Sequence, residues 1–136
     1  MIITHLTHSS FLIETEKAYL LFDYFGKGQL PISIKKNIYI FSSHNHHDHF
    51  DMQIFKLFGD KPRAFFILSY DIKRKFGNKI SSTYPKCQNN IKYVMPDKKL
   101  GIEDIQIETI GSTDAGVAFL VAYEDKIFFH SGDLHL

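Results

Sequence analysis

The sequence predicts an α/β sandwich, mixed sheets flanked by helices, formed as one domain over residues 1–136. Three observations predict it. The first forty residues read as short strands, the middle of the chain alternates strand with helix, and the last third returns to strands. The composition supplies a core for such layers, since 44% of residues are apolar and 13 Phe and 7 Tyr are among them. That is far from the polar, aromatic-poor signature of disordered chains.

The opening strands are Ile2–Leu6, Ser10–Glu14 and Ala18–Asp23, with Glu16-Lys17 as the tight connection of a meander. Gly26, Gly28 and Pro31 then break the pattern into a surface loop. The run 37–43 is apolar, β-branched and aromatic, as suits a strand buried on both faces. Residues 52–58 place Met52, Ile54, Phe55 and Phe58 at helical spacing, with Asp51 set to cap the start and Gly59 the end. Ala64–Ser69 reads as a strand, 70–76 as a helix ended by Gly77, and 81–88 as a loop around Pro85. Strands follow at 91–95, 105–110, Val117–Tyr123 and Lys126–His130, the last two joined through Glu124-Asp125.

Sixteen Lys and Arg oppose 15 Asp and Glu, for a formal charge of +1, and the basic clusters are short. Neither a nucleic-acid nor a membrane partner is expected from such a balance. No apolar run reaches the roughly 20 residues needed to cross a bilayer. Cys87 is the single cysteine, so no internal disulfide can form, and the start Met1-Ile2-Ile3-Thr4-His5 has no basic, then apolar, leader pattern. A cytoplasmic protein is expected.

Four of the eight histidines fall in the segment Ser43-His44-Asn45-His46-His47-Asp48-His49. If His44 and His46 extend from a strand end, alternation puts their side chains on one face, where they can share a cation. Asp48 and His49 add a hard oxygen and an imidazole for a second. A bare His-rich tract would bind metals weakly at a surface. A strand leading in, a helix leading out and an acid inside the cluster set this segment apart from one.

The pattern His44-x-His46-x-Asp48-His49 resembles the H-x-H-x-D-H signature of the metallo-β-lactamase superfamily. Thr7-His8-Ser9-Ser10-Phe11-Leu12-Ile13-Glu14 and Leu20-Leu21-Phe22-Asp23 look like the opening strands of its L-ascorbate-6-phosphate-lactonase-like branch. Phe129-His130-Ser131-Gly132-Asp133 resembles a strand-end motif whose aspartate bridges two metals. The resemblance implies the N-terminal portion of a four-layer αββα sandwich holding one or two metals, usually zinc, sometimes manganese or iron. It implies His44 and His46 as ligands of the first metal, Asp48 and His49 of the second, and Asp133 as the bridge. A metal-bound hydroxide would be the nucleophile, with Asp48 orienting it or passing on its proton.

Two departures from the family pattern follow. Ser112 stands where the family has a third histidine, and a serine hydroxyl is a poor zinc ligand beside imidazole. Asp114 reads either as a substitute oxygen donor or as a turn residue before Gly116. Family chains are also longer, which implies a chain truncated after Asp133. His135 then reads as a substitute ligand or as a terminal residue. A shortened sandwich would expose an apolar face, and association between copies of the chain is the expected consequence.

Outside the cluster, His8 reads equally as a substrate contact or a structural residue. Asp23 reads as a hydrogen-bond partner of a ligand histidine or as a turn carboxylate. His47 is expected to point away from the metals, His130 to sit in the core or behind the ligands, and Cys87 to be an ordinary thiol. The functional expectation is a metal-dependent hydrolase of an ester, lactone or phosphoester in a small molecule. The alternative is a non-catalytic metal-binding remnant. A nuclease ranks last for want of a positive groove.

Overall fold

Two-faced burial builds the centre of the molecule. Residues 1–28, 30–32, 35–111 and 116–132 are described in the computed structural model. A six-stranded sheet runs in the order β1 (Ile2–Thr7), β2 (Ser10–Glu14), β3 (Ala18–Phe22), β4 (Asn37–Ser42), β5 (Ala64–Ser69), β6 (Ile91–Val94). The first three strands pair antiparallel as a meander, and β3, β4, β5 and β6 pair parallel. A second, antiparallel sheet has the order β10 (Lys126–His130), β9 (Val117–Tyr123), β8 (Ile105–Gly111), β7 (Lys99–Ile102).

Alternation along the central strands then sorts the core into two slabs. Tyr19 and Leu21 of β3, Ile38 and Ile40 of β4, and Phe66 and Leu68 of β5 face the helix layer. They meet Ile54, Phe55 and Phe58 of α1 (Gln53–Phe58) and Ile72 and Ile80 of α2 (Tyr70–Thr83). The intervening residues Leu20, Phe22, Tyr39, Phe41 and Ile67 face the second sheet and pack on Ile105, Ile107, Val117, Phe119 and Val121. The order helix, sheet, sheet gives three successive layers among the described residues, the mixed α and β architecture the sequence implied. No helix among them is long and apolar enough to cross a membrane.

Three local expectations change. Gly77 does not end α2, which runs 14 residues to Thr83. The helix continues because Ile80, two turns beyond Ile72, is fully buried in the same core, and that packing outweighs the roughly 1 kcal/mol a mid-helix glycine costs. The loop around Pro85 is a 3₁₀ turn over Pro85–Asn90, with proline at its start and Cys87 buried, and burial pushes the Cys87 thiol pKa up. Strand β7 escaped notice because Lys99-Leu100-Gly101-Ile102 is short, holds a glycine, and buries one residue.

At the far edge β10 exposes Ile127 and Phe129, at 70% and 54%.

The helical placement of Gly77 is testable. A Cβ there meets only the flexible Lys73 stem, at 3.3 Å. Gly77→Ala should therefore raise unfolding stability by about 0.5–1 kcal/mol in urea titration. Destabilisation would instead indicate a helix end with left-handed backbone at this residue.

Candidate metal centre

Parallel strands deliver their C-terminal ends to one edge of a sheet, which is where open α/β sheets gather ligand-binding groups. Asp23 follows β3, the segment Ser43–His49 follows β4, and Ser69 with Asp71 marks the junction of β5 and α2. Strand β9 begins and β10 ends at the corresponding edge of the second sheet, since the two pair antiparallel. The histidine segment turns back on itself there, the His49 and Phe50 amides donating to the His46 carbonyl at 2.9 and 3.0 Å.

Asp23 organises this turn. It is fully buried, with φ +49°, and each of its polar groups is engaged. Its amide donates to the Phe41 carbonyl at 2.8 Å, and its own carbonyl accepts from the Ser10 hydroxyl. Oδ1 accepts the Ser43 amide at 2.7 Å, while Oδ2 accepts the Ser43 hydroxyl at 2.6 Å and His49 Nδ1 at 2.7 Å. A carboxylate removed from water is tolerated when several donors replace it, and here three do.

This arrangement assigns the imidazole protons. The Ser43 hydroxyl spends its single proton on Asp23, so its contact with His44 Nδ1 at 3.0 Å has His44 donating. His49 likewise donates from Nδ1 to Asp23. In the neutral form of each ring, the form that binds a metal, the lone pair then lies on Nε2. Metal-ligating histidines usually give their other N–H to a carboxylate or similar acceptor, so this donor set has the protonation pattern a metal site requires.

The rings are close together. His44 and His49 have centroids 3.9 Å apart, and His44 and His46 4.5 Å. Asp48 Oδ1 is 3.5 Å from His49 Nε2. His44 and His49 are buried, whereas His46 is exposed and Asp48 partly so. Among the described residues, no group of three His, Cys, Asp or Glu side chains forms a ligand set. Asp133 lies outside the described residues, as do Ser112, Asp114 and His135.

Other residues find definite places. His130 stacks on Phe22 at 5.1 Å and 12°. Its Nε2 donates to the Ser9 carbonyl at 2.8 Å and its Nδ1, 3.9 Å from Asp23 Oδ2, accepts the Gly132 amide at 3.4 Å. It joins β10 to the β1–β2 turn behind the histidine loop. His47 is exposed, and so is His8, whose ring sits 5.8 Å from Phe25.

Four groups escaped the sequence reading. Asp71, 4% exposed, accepts the Asn45 amide at 3.1 Å and bonds the Ser69 hydroxyl, so α2 grips the loop between His44 and His46. Ser43 relays Asp23 to His44, and Ser10 holds the Asp23 carbonyl. Gly116 (φ +97°) lies against the loop from the second sheet, and the neighbouring Val117 amide donates to the Ser43 carbonyl at 2.8 Å. A polar residue after a strand was the available signal for Asp71, and such residues are common in turns.

Two predictions follow from this geometry. A Cβ on Gly116 would meet the Ser43 carbonyl oxygen at 2.0 Å and His44 Cβ at 2.5 Å, in backbone that side chains rarely adopt. Gly116→Ala should cost about 2 kcal/mol or more in urea unfolding, and an unchanged midpoint would contradict the close approach. Asp23→Asn puts an amide donor against groups that already donate. Chelator competition should show zinc bound about 10–100-fold more weakly, with unchanged affinity counting against the role given to Asp23.

Known proteins share this architecture. A candidate metal-dependent hydrolase from Parabacteroides distasonis matches with a TM-score of 0.73 and 15% identity, over 97% of this chain and 60% of its own. A second candidate metal-dependent hydrolase, from Veillonella parvula, matches at 0.64 and 14%, over 98% and 63%. CmlA, a diiron β-hydroxylase from Streptomyces venezuelae, matches at 0.64 and 10%, over 97% and 29%. These identities show a shared fold, and the chain spans about three-fifths of the first two. No curated protein matches it. The family described as the Beta-lactamase superfamily domain matches residues 2–136, and the chain belongs to this metallo-β-lactamase superfamily.

Proposed function

We propose that the chain carries the metal centre of a hydrolase acting on an ester, lactone or phosphoester-type bond of a small molecule. The observation that supports this most is the proton assignment that leaves Nε2 of both His44 and His49 as the ligating nitrogen. His44 and His46 would hold one metal, Asp48 and His49 a second, and Asp133 would bridge them. Zinc is the first choice, with manganese or iron as alternatives. When bound, such a metal supplies a Lewis acid and lowers the pKa of water towards about 7.

The chain's own residues do the rest. Asp23 and Ser43 hold the buried rings in one tautomer and one orientation. Asp48, whose side chain is 39% exposed and 3.5 Å from His49 Nε2, would accept a proton from water. Within the superfamily, the order of Leu20-Leu21-Phe22-Asp23 before the histidine loop favours the lactonase-like branch. An intracellular location belongs to the same reading.

The test uses purified chain, zinc and a panel of 4-nitrophenyl acetate, a γ-lactone and bis(4-nitrophenyl) phosphate. Hydrolysis of at least one should vanish with chelator, return with zinc, and fall by about 100-fold or more in Asp48→Ala. Hydrolysis indifferent to both treatments would refute the proposal. Tight zinc without any turnover would leave the chain a metal-binding protein and not an enzyme.

A further inference from the structure

A cleft of about 480 Å³ opens beside the histidine loop, within the size range of small-molecule sites. Its lining includes His46, His47 and Asp48 of the loop, Phe50 just after it, and Lys75 and Phe76 of α2. The aromatic side is anchored in the core, for Phe50 is 4% exposed and its ring lies 5.4 Å from that of Phe76.

Helix α2 is what turns Lys75 towards this space. Asp71 touches the loop through the Asn45 amide, and Lys75 follows it by four residues, so the two share a helix face. The buried Asp71 carboxylate turns its oxygens to the Asn45 amide and the Ser69 hydroxyl and makes no direct ion pair with the lysine. Asp51, also on the cleft, uses Oδ1 to accept the Gln53 amide at 2.8 Å. Lys75 itself is exposed, with its ammonium 5.4 Å from the centre of the Phe76 ring, and among the described residues no carboxylate lies within ion-pair distance of it. A cation resting on an aromatic face, beside candidate metal ligands and without a direct ion-pair partner among the described residues, suits an anionic group.

We propose that this cleft is the substrate site and selects molecules with an aryl or alkyl body, seated on Phe50 and Phe76, and an anionic terminus held by Lys75. This rests on the proposed hydrolase reading, with the scissile bond lying towards His46 and Asp48.

The test measures binding by ligand-observed NMR, using 4-phenylbutyrate, its neutral analogue 4-phenylbutan-1-ol, and butyrate, with zinc content determined on the same samples. The wild-type protein should bind 4-phenylbutyrate about tenfold more tightly than either of the others. Lys75→Met should remove the preference over the alcohol, leaving alcohol binding and zinc content unchanged. Equal binding of acid and alcohol would overturn the proposal. So would a preference that survives in Lys75→Met, because the carboxylate would then be held at the metal loop. If zinc fails to bind while the Lys75-dependent preference persists, the hydrolase reading falls and the anion site stands.

Discussion

The structure depends on a carboxylate buried where water cannot reach it. Asp23 closes β3 with no exposed surface, and an unpaired charge there would cost several kcal/mol. Ser43 and His49 remove that cost, and in doing so they fix where β4 ends and how the loop after it turns. A single burial requirement thereby couples strand register, loop shape and imidazole protonation. His44 enters the same network through Ser43, so the two buried rings present the same nitrogen.

The second sheet matters to the site because it closes on the first at this point. Gly116 and Gly132 both approach Ser43, and His130, Phe22 and Phe41 stack in turn, with Phe119 of the second sheet meeting Phe41 edge-on. A side chain at Gly116 would collide with the Ser43 carbonyl, and one at Gly132 would press on the Ser43 side chain. From the helix side, Asp71 holds Asn45. The segment carrying His44 and His46 is thus held on three sides, by Asp23, by the glycines of the second sheet, and by α2. Such support is what a site needs if ligands are to keep their orientation before a metal arrives.

The sequence was most legible where periodicity and chemistry were concentrated. The strand 37–43 followed by four histidines and an aspartate could be read directly, because a doubly buried strand and a ligand-type cluster both leave local signals. The extent of α2 was less legible, since Gly77 reads as a stop and the buried position of Ile80 is a tertiary fact. Asp23 could be read two ways from sequence, and only its distance to His49 separates them. The roles of Asp71 and Gly116 depend on contacts 26 and more residues away along the chain, which no local pattern encodes.

Anomalous diffraction at the zinc edge, on crystals grown with zinc, tests the central claim most directly. The account predicts metal density about 2.0–2.1 Å from Nε2 of His44 and of His49, with Nδ1 of each still bonded to Ser43 and Asp23. Absence of a peak at the loop, or coordination through Nδ1 with Asp23 released, would contradict it.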